Sequence, residues 1–162
     1  MSTIAYLTVV GAKQGAIKGD VTIHGREGTI ALTGVSSQLN VPFDAATGAA
    51  QGRRQHHPIT VTKLLDQATP KLYAALVTNE NLTDFTIAFW GQLPDGKEIA
   101  QFTIKLTDAR IVGIALAAHE AQGAAAAAPA SSQEVQLVYR RITWTWSQGN
   151  VTATDDWAIP TA

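Results

Sequence analysis

Alternation of apolar and polar positions dominates this chain. Phe85, Ile87 and Phe89 alternate with Thr86, Ala88 and Trp90, and Phe102, Ile104 and Leu106 alternate with Gln101, Thr103 and Lys105. The turn sequence LPDGK lies between the two runs, so together they predict a β-hairpin with one buried face. Ala5 to Val10, closed by Gly11, predicts a shorter apolar strand. His57 to Thr62 predicts another, with Ile59 and Val61 on one side, and Arg110 to Leu116 a further one. Four glycines from Gly15 to Gly28 surround Val21, Thr22 and Ile23, a pattern of turns flanking a short extended piece. Thr29 to Leu39 predicts a strand, and the following NVPFDAATGAAQG predicts a long irregular loop marked by Pro42, Asp44, Gly48 and Gly52. Ordered loops of that length usually carry a function.

Two segments break the period of two. Thr69 offers an N-cap hydroxyl and Pro70 suits the first helical position, where its missing N–H costs nothing. Leu72, Ala75 and Leu76 then fall at helical spacing, so a short helix is expected over about residues 69–78. From Glu134 to Trp146 the apolar face changes sides: Val135, Leu137 and Tyr139 are odd, whereas Ile142, Trp144 and Trp146 are even. Either a bulge shifts the register near Arg140-Arg141, or one strand has one face in a core and the other against a neighbour. Large aromatics on both faces favour assembly. The run HEAQGAAAAAPASSQ, with its Ala-rich segment 123–132, predicts a mobile loop between strands. The whole pattern is mainly β and predicts one globular domain over residues 1–162.

Composition narrows the function. Twelve Lys+Arg against thirteen Asp+Glu give a formal charge of −1, so no overall field draws the molecule to nucleic acid or anionic lipid. With no cysteine, disulfides, thiolate metal sites and a cysteine nucleophile are excluded. MSTIAYLTVVGAKQG lacks the basic and apolar regions of a signal peptide, and no stretch has the roughly 18 apolar residues of a membrane span. No membrane insertion is expected.

Candidate chemistry concentrates in GRRQHHP, residues 52–58. His56 and His57 are adjacent, so on an extended segment they point to opposite faces and do not share a metal ion; His24 and His119 lack ligand spacing. None of the serines sits in a GxSxG turn, and the glycines lack a phosphate-cradling arrangement, so neither a catalytic site nor a cofactor is expected. Asp155-Asp156 fits a solvated or capping pair better than a catalytic one. Arg53-Arg54 and Arg140-Arg141 are suited to bidentate anion binding or to pairing with Asp or Glu across a strand or subunit boundary, the second being favoured by the near-zero charge.

GRRQHHPITVTKLLDQATPKLYAAL resembles the signature of the Hcp family, the haemolysin-coregulated tube proteins of bacterial type VI secretion systems. The matching positions are Gly52, Arg54, His56 and Pro58, then Thr62, Lys63 and Asp66, then Ala68, Thr69, Pro70 and Leu72. AYLTVVGAKQG, FTIKLTDARI, EVQLVYRRITWTW and the later Trp157 are similar too. The resemblance implies a compact β-barrel of two packed antiparallel sheets with one short helix and an extended loop over about residues 40–55. It implies a homohexameric ring, rings stacked into a tube that a sheath drives outward, spike and baseplate partners, and small effector proteins in the lumen. It also implies a protein made in the bacterial cytoplasm and secreted without a signal peptide. On this reading Pro42, Phe43, Asp44, Arg53, Arg54, His56 and Pro58 form an assembly loop and its clamp. Arg140, Arg141, Trp144 and Trp146 form a candidate subunit-interface strand. The competing classes are a small-molecule-binding β-barrel, which needs an apolar cavity, and an enzyme, for which GRRQHHP is the sole candidate site.

Overall fold

A computed structural model describes residues 3–119 and 130–157. The strands are β1 (Ala5–Gly11), β2 (Gly15–Ile17), β3 (Ile30–Leu32), β4 (Gly34–Ser36), β5 (Leu39–Asn40), β6 (Gln55–His56) and β7 (Ile59–Leu64). Helix α1 (Thr69–Val77) follows, then β8 (Leu82–Gln92), β9 (Glu98–Thr107), β10 (Arg110–His119), β11 (Ala130–Val138), β12 (Arg141–Trp146) and β13 (Val151–Asp156). One antiparallel sheet runs β13-β12-β9-β8-β1, and β2 and β3 share the far edge of β1. The other runs β10-β11-β7-β4, while β5 and β6 form a separate two-stranded sheet.

The alternation in sequence becomes alternation in burial. Leu7, Phe85, Ile87, Leu106 and Ile142 of the first sheet face Ile59, Val61, Val135 and Leu137 of the second, all within one core that Leu72 and Ala75 of α1 extend. Truncating one such large side chain typically costs about 3 kcal/mol. The β8–β9 hairpin forms where the sequence places it, with Ile87 opposite Ile104 and Phe85 opposite Leu106. Across the outer face of the first sheet, the Arg26 guanidinium lies 4.7 Å from the Tyr6 ring and 4.3 Å from the Trp90 ring and pairs with Glu98, which holds the 18–29 loop down.

Several boundaries differ from the sequence reading. Glu134–Trp146 is not one strand with a bulge or two packed faces; β11 ends, Arg140 donates its N–H to the Thr107 carbonyl at 3.1 Å, and β12 begins in the other sheet. The phase shift therefore arises because consecutive strands meet one core from opposite sides. Thr29–Leu39 divides in the same way, with β3 in the first sheet and β4 in the second, joined at Thr33. The extended piece near Val21–Ile23 is instead turn and loop, and the strand of that region is β2. The loop over 40–55 is less irregular than expected: β5 and β6 zip its base and a Phe43–Ala50 bridge closes it further out. Most of the Ala-rich segment 123–132 lies outside the described residues, but Ala130, Ser131 and Ser132 belong to β11.

The helix start also differs. Ala68 occupies the N-cap without a side-chain cap, and Pro70 is the second helical residue. The Thr69 hydroxyl accepts the Asp66 N–H at 3.1 Å, and the Asp66 carboxylate accepts the Ala68 N–H at 2.9 Å. The fully buried Lys63 ammonium sits among Asp66 Oδ1 at 2.8 Å, the Leu64 carbonyl at 2.9 Å, Thr69 Oγ1 at 3.1 Å and Gln133 Oε1 at 3.2 Å. A buried charge is tolerable only when so enclosed.

Candidate functional site

The hairpin over residues 39–56 leaves the two sheets and has no core of its own. Its tip is held by local polar geometry: Gly48 donates to the Asp44 carbonyl at 2.7 Å, Ala46 to the Asp44 carboxylate at 2.9 Å, and Gln51 to the Pro42 carbonyl at 2.6 Å. Its apolar side chains consequently face outward, and Phe43 is 68% exposed.

The base of the hairpin is tied to β13. Arg54 Nε donates to Asp155 Oδ2 at 2.5 Å and Nη2 donates to the Asp156 carbonyl at 2.7 Å. His56, with a side chain only 2% exposed, reaches Asp155 Oδ2 through Nε2 at 2.6 Å and Tyr139 Oη through Nδ1 at 2.8 Å. An ionised carboxylate only accepts, so Nε2 carries a proton; in the neutral ring the Tyr139 hydroxyl then donates to Nδ1. The Trp157 ring packs 5.1 Å from His56 and 5.9 Å from Tyr139. His57 points elsewhere, with Nε2 at 2.6 Å from Asn40 Oδ1, as its adjacency to His56 on extended backbone requires. Arg53 is exposed and donates to the Trp157 carbonyl at 3.4 Å, and Pro58, also exposed, leads into β7.

Successive residues of β13 face opposite ways, so Asp156 serves a second group. Its carboxylate, almost fully buried, lies 3.4 Å from Arg140 and 3.5 Å from Arg141. Asp155 and Asp156 are therefore neither solvated nor caps; on opposite sides of the strand, Asp155 lies against Arg54 and His56 and Asp156 against Arg140 and Arg141. The four arginines singled out from sequence are thus gathered around one strand end. Trp144 packs against the core, and Trp146, 42% exposed, lies across from Val151 at the far end of β12. Asp155, Asp156, Tyr139 and Trp157 had no site role in the sequence reading. The sequence showed Asp155-Asp156 only as an adjacent acidic pair and Trp157 only as a matching position, and their partners were hidden until the topology was known.

The electrostatics describe a closed cluster. The hydrogen bond from Arg54, then that from His56, holds the Asp155 carboxyl below its ordinary range, and Asp155 in turn pushes the Arg54 guanidinium further toward its charged form. Burial pushes the Tyr139 hydroxyl up to about 12. An Asp–His–hydroxyl chain is present, but a buried phenol so hard to ionise is a poor nucleophile. Among the described residues no group of three or more His, Asp or Glu side chains is placed to hold a metal ion.

Residues 6–146 match the family described as type VI secretion system effector, Hcp. The chain belongs to the Hcp family. The major exported protein of Pseudomonas aeruginosa is 33% identical to it over 171 residues, covering 100% of this chain and 99% of that one. The Hcp1 protein of E. coli pathovar EAEC 042 superposes with a TM-score of 0.80 at 29% identity, covering 96% of this chain and 99% of that one. The secreted protein Hcp3 of Pseudomonas aeruginosa gives 0.78 at 28% identity, with 98% and 100% covered. In this Hcp chain the family signature has a physical account. Arg54 and His56 anchor the hairpin to β13, while Lys63, Asp66 and Thr69 build the turn into α1.

Proposed function

We propose that this chain is the ring-forming tube subunit of a type VI secretion system, exported from the bacterial cytoplasm, with small effector proteins held in the ring lumen. Its partners are further copies of itself, within and between rings, together with the sheath and the spike and baseplate proteins. Its role is structural and not enzymatic. The observation that carries this reading is the end-to-end likeness to a protein named for its export, at 33% identity with 100% of this chain covered. The fold supplies physical support. A ring closes by heterologous contacts, so one patch must fit a different patch on the next copy. The outward hairpin with Phe43 and Val41 exposed, and the exposed Trp146–Val151 pair, offer apolar surface of the kind monomers rarely leave bare.

Pro42, Phe43 and Asp44 are assigned to the contact itself. Arg53, Arg54, His56 and Pro58 hold the hairpin at its working angle, and Arg140, Arg141, Trp144 and Trp146 line or support a neighbouring interface. Size-exclusion chromatography with light scattering is expected to show a species near six times 17.2 kDa, and Arg54→Ala to shift it toward the monomer. A strict monomer at high concentration, or rings unaltered by Arg54→Ala at matched concentration, would count against the respective part of the reading.

A further inference from the structure

A cleft of about 420 Å³ opens at the hairpin base, lined by Arg53, Arg54, Gln55, His56, His57 and Trp157. Four of these six can carry positive charge, and among the described residues none of the lining side chains is acidic. The nearest carboxylate, Asp155, faces inward and is engaged by Arg54 and His56. Arg53 is differently placed. Its guanidinium has five donor N–H groups, and among the described residues its one hydrogen bond is the long contact of 3.4 Å to the Trp157 carbonyl. The Trp157 ring, on a residue 40% exposed, forms an apolar wall beside it. The spare donors of Arg53, set beside an aromatic wall, suit a planar anion on a short aliphatic body.

We propose that this cleft is a carboxylate-binding site in which Arg53 makes the paired contact and Trp157 covers the methylene groups behind the anion. The carboxylate comes either from a free small acid or from an Asp or Glu of a second copy. The site goes beyond the tube reading and stands whether or not rings form.

Glutarate is the probe, titrated calorimetrically into the full-length protein at low salt. Saturable binding with a millimolar constant is expected, as is a loss of roughly tenfold or more in Arg53→Gln, whose exposed position leaves the fold intact by circular dichroism. Absence of saturable binding by the unsubstituted chain, or equal binding by a folded Arg53→Gln, overturns the proposal. Light scattering with and without glutarate separates the sources. Dissociation of assembled copies points to a carboxylate from a second chain, and unchanged assembly alongside binding points to a free acid. Rings that form without any glutarate binding would sink this site and leave the tube reading standing.

Discussion

Glu80 and Asp155 both hold an extended turn in place with a carboxylate, but they use different donors. Glu80, 3% exposed, accepts from the backbone N–H groups of Gln14 at 3.0 Å and Lys13 at 3.2 Å in the β1–β2 turn. Burial works against its charge, yet these backbone bonds and the Gln14 side chain keep its carboxyl below the ordinary range. The fit is close enough that a Cβ on Gly11 would fall 1.8 Å from Glu80 Oε2. Asp155 is instead caged by two side chains, Arg54 and His56, that arrive on a hairpin projecting from the two sheets. Backbone donors cannot rotate away, whereas a guanidinium and an imidazole can. The first arrangement fixes a turn rigidly, and the second holds a projecting arm by groups that salt, pH and mutation can release.

The contrast can be broken at its strongest point first. Glu80→Ala removes a buried side chain and leaves the part-buried N–H groups of Lys13 and Gln14 without their acceptor, and is expected to lower stability by about 3 kcal/mol in denaturant unfolding. A change below about 1 kcal/mol would mean that water replaces the carboxylate. At the hairpin base, Tyr139 gives a smaller effect with a defined sign. Its folded pKa of about 12 lies above the ordinary 10.0, so the stabilisation is complete below pH 10 and is lost as pH rises through 12. Roughly 2 kcal/mol should disappear over that window in the unsubstituted chain and not in Tyr139→Phe. Parallel alkaline curves for the two proteins would contradict it.

Asp155→Asn is expected to have the smallest effect on global stability and the most local one. Amide exchange should accelerate over residues 39–56 and stay unchanged in β7 and β8, and the difference should narrow as salt rises. Because the folded pKa of Asp155 is depressed, its contribution is present above the usual carboxylate range and fades as pH falls through the folded value. Exchange that speeds up throughout the core would show the hairpin base to be part of the global fold instead.

How much of this was legible in the sequence depended on whether a residue had a core to face. The β8–β9 hairpin was readable because Phe85, Ile87, Ile104 and Leu106 alternate against one buried surface. The existence of α1 was readable from Leu72, Ala75 and Leu76, although its cap was not, because Asp66 and Lys63 act from outside the helix. Alternation cannot say to which sheet a strand belongs, so both crossings, at Thr33 and at Arg140, were read as continuous strands. Leu39, Val41 and Phe43 face outward, and the hairpin they belong to therefore carries no burial signal. The acids that complete the candidate site lie about a hundred positions from Arg54, and only the paired register of β12 and β13 brings them into reach.

That distance along the chain affects the order in which the molecule matures. Arg54 and Asp155 are 101 positions apart, so during synthesis the arm emerges long before the strand that fastens it. A nascent copy therefore carries an unfastened arm, and the arm acquires its fixed geometry only once β13 has been made and docked.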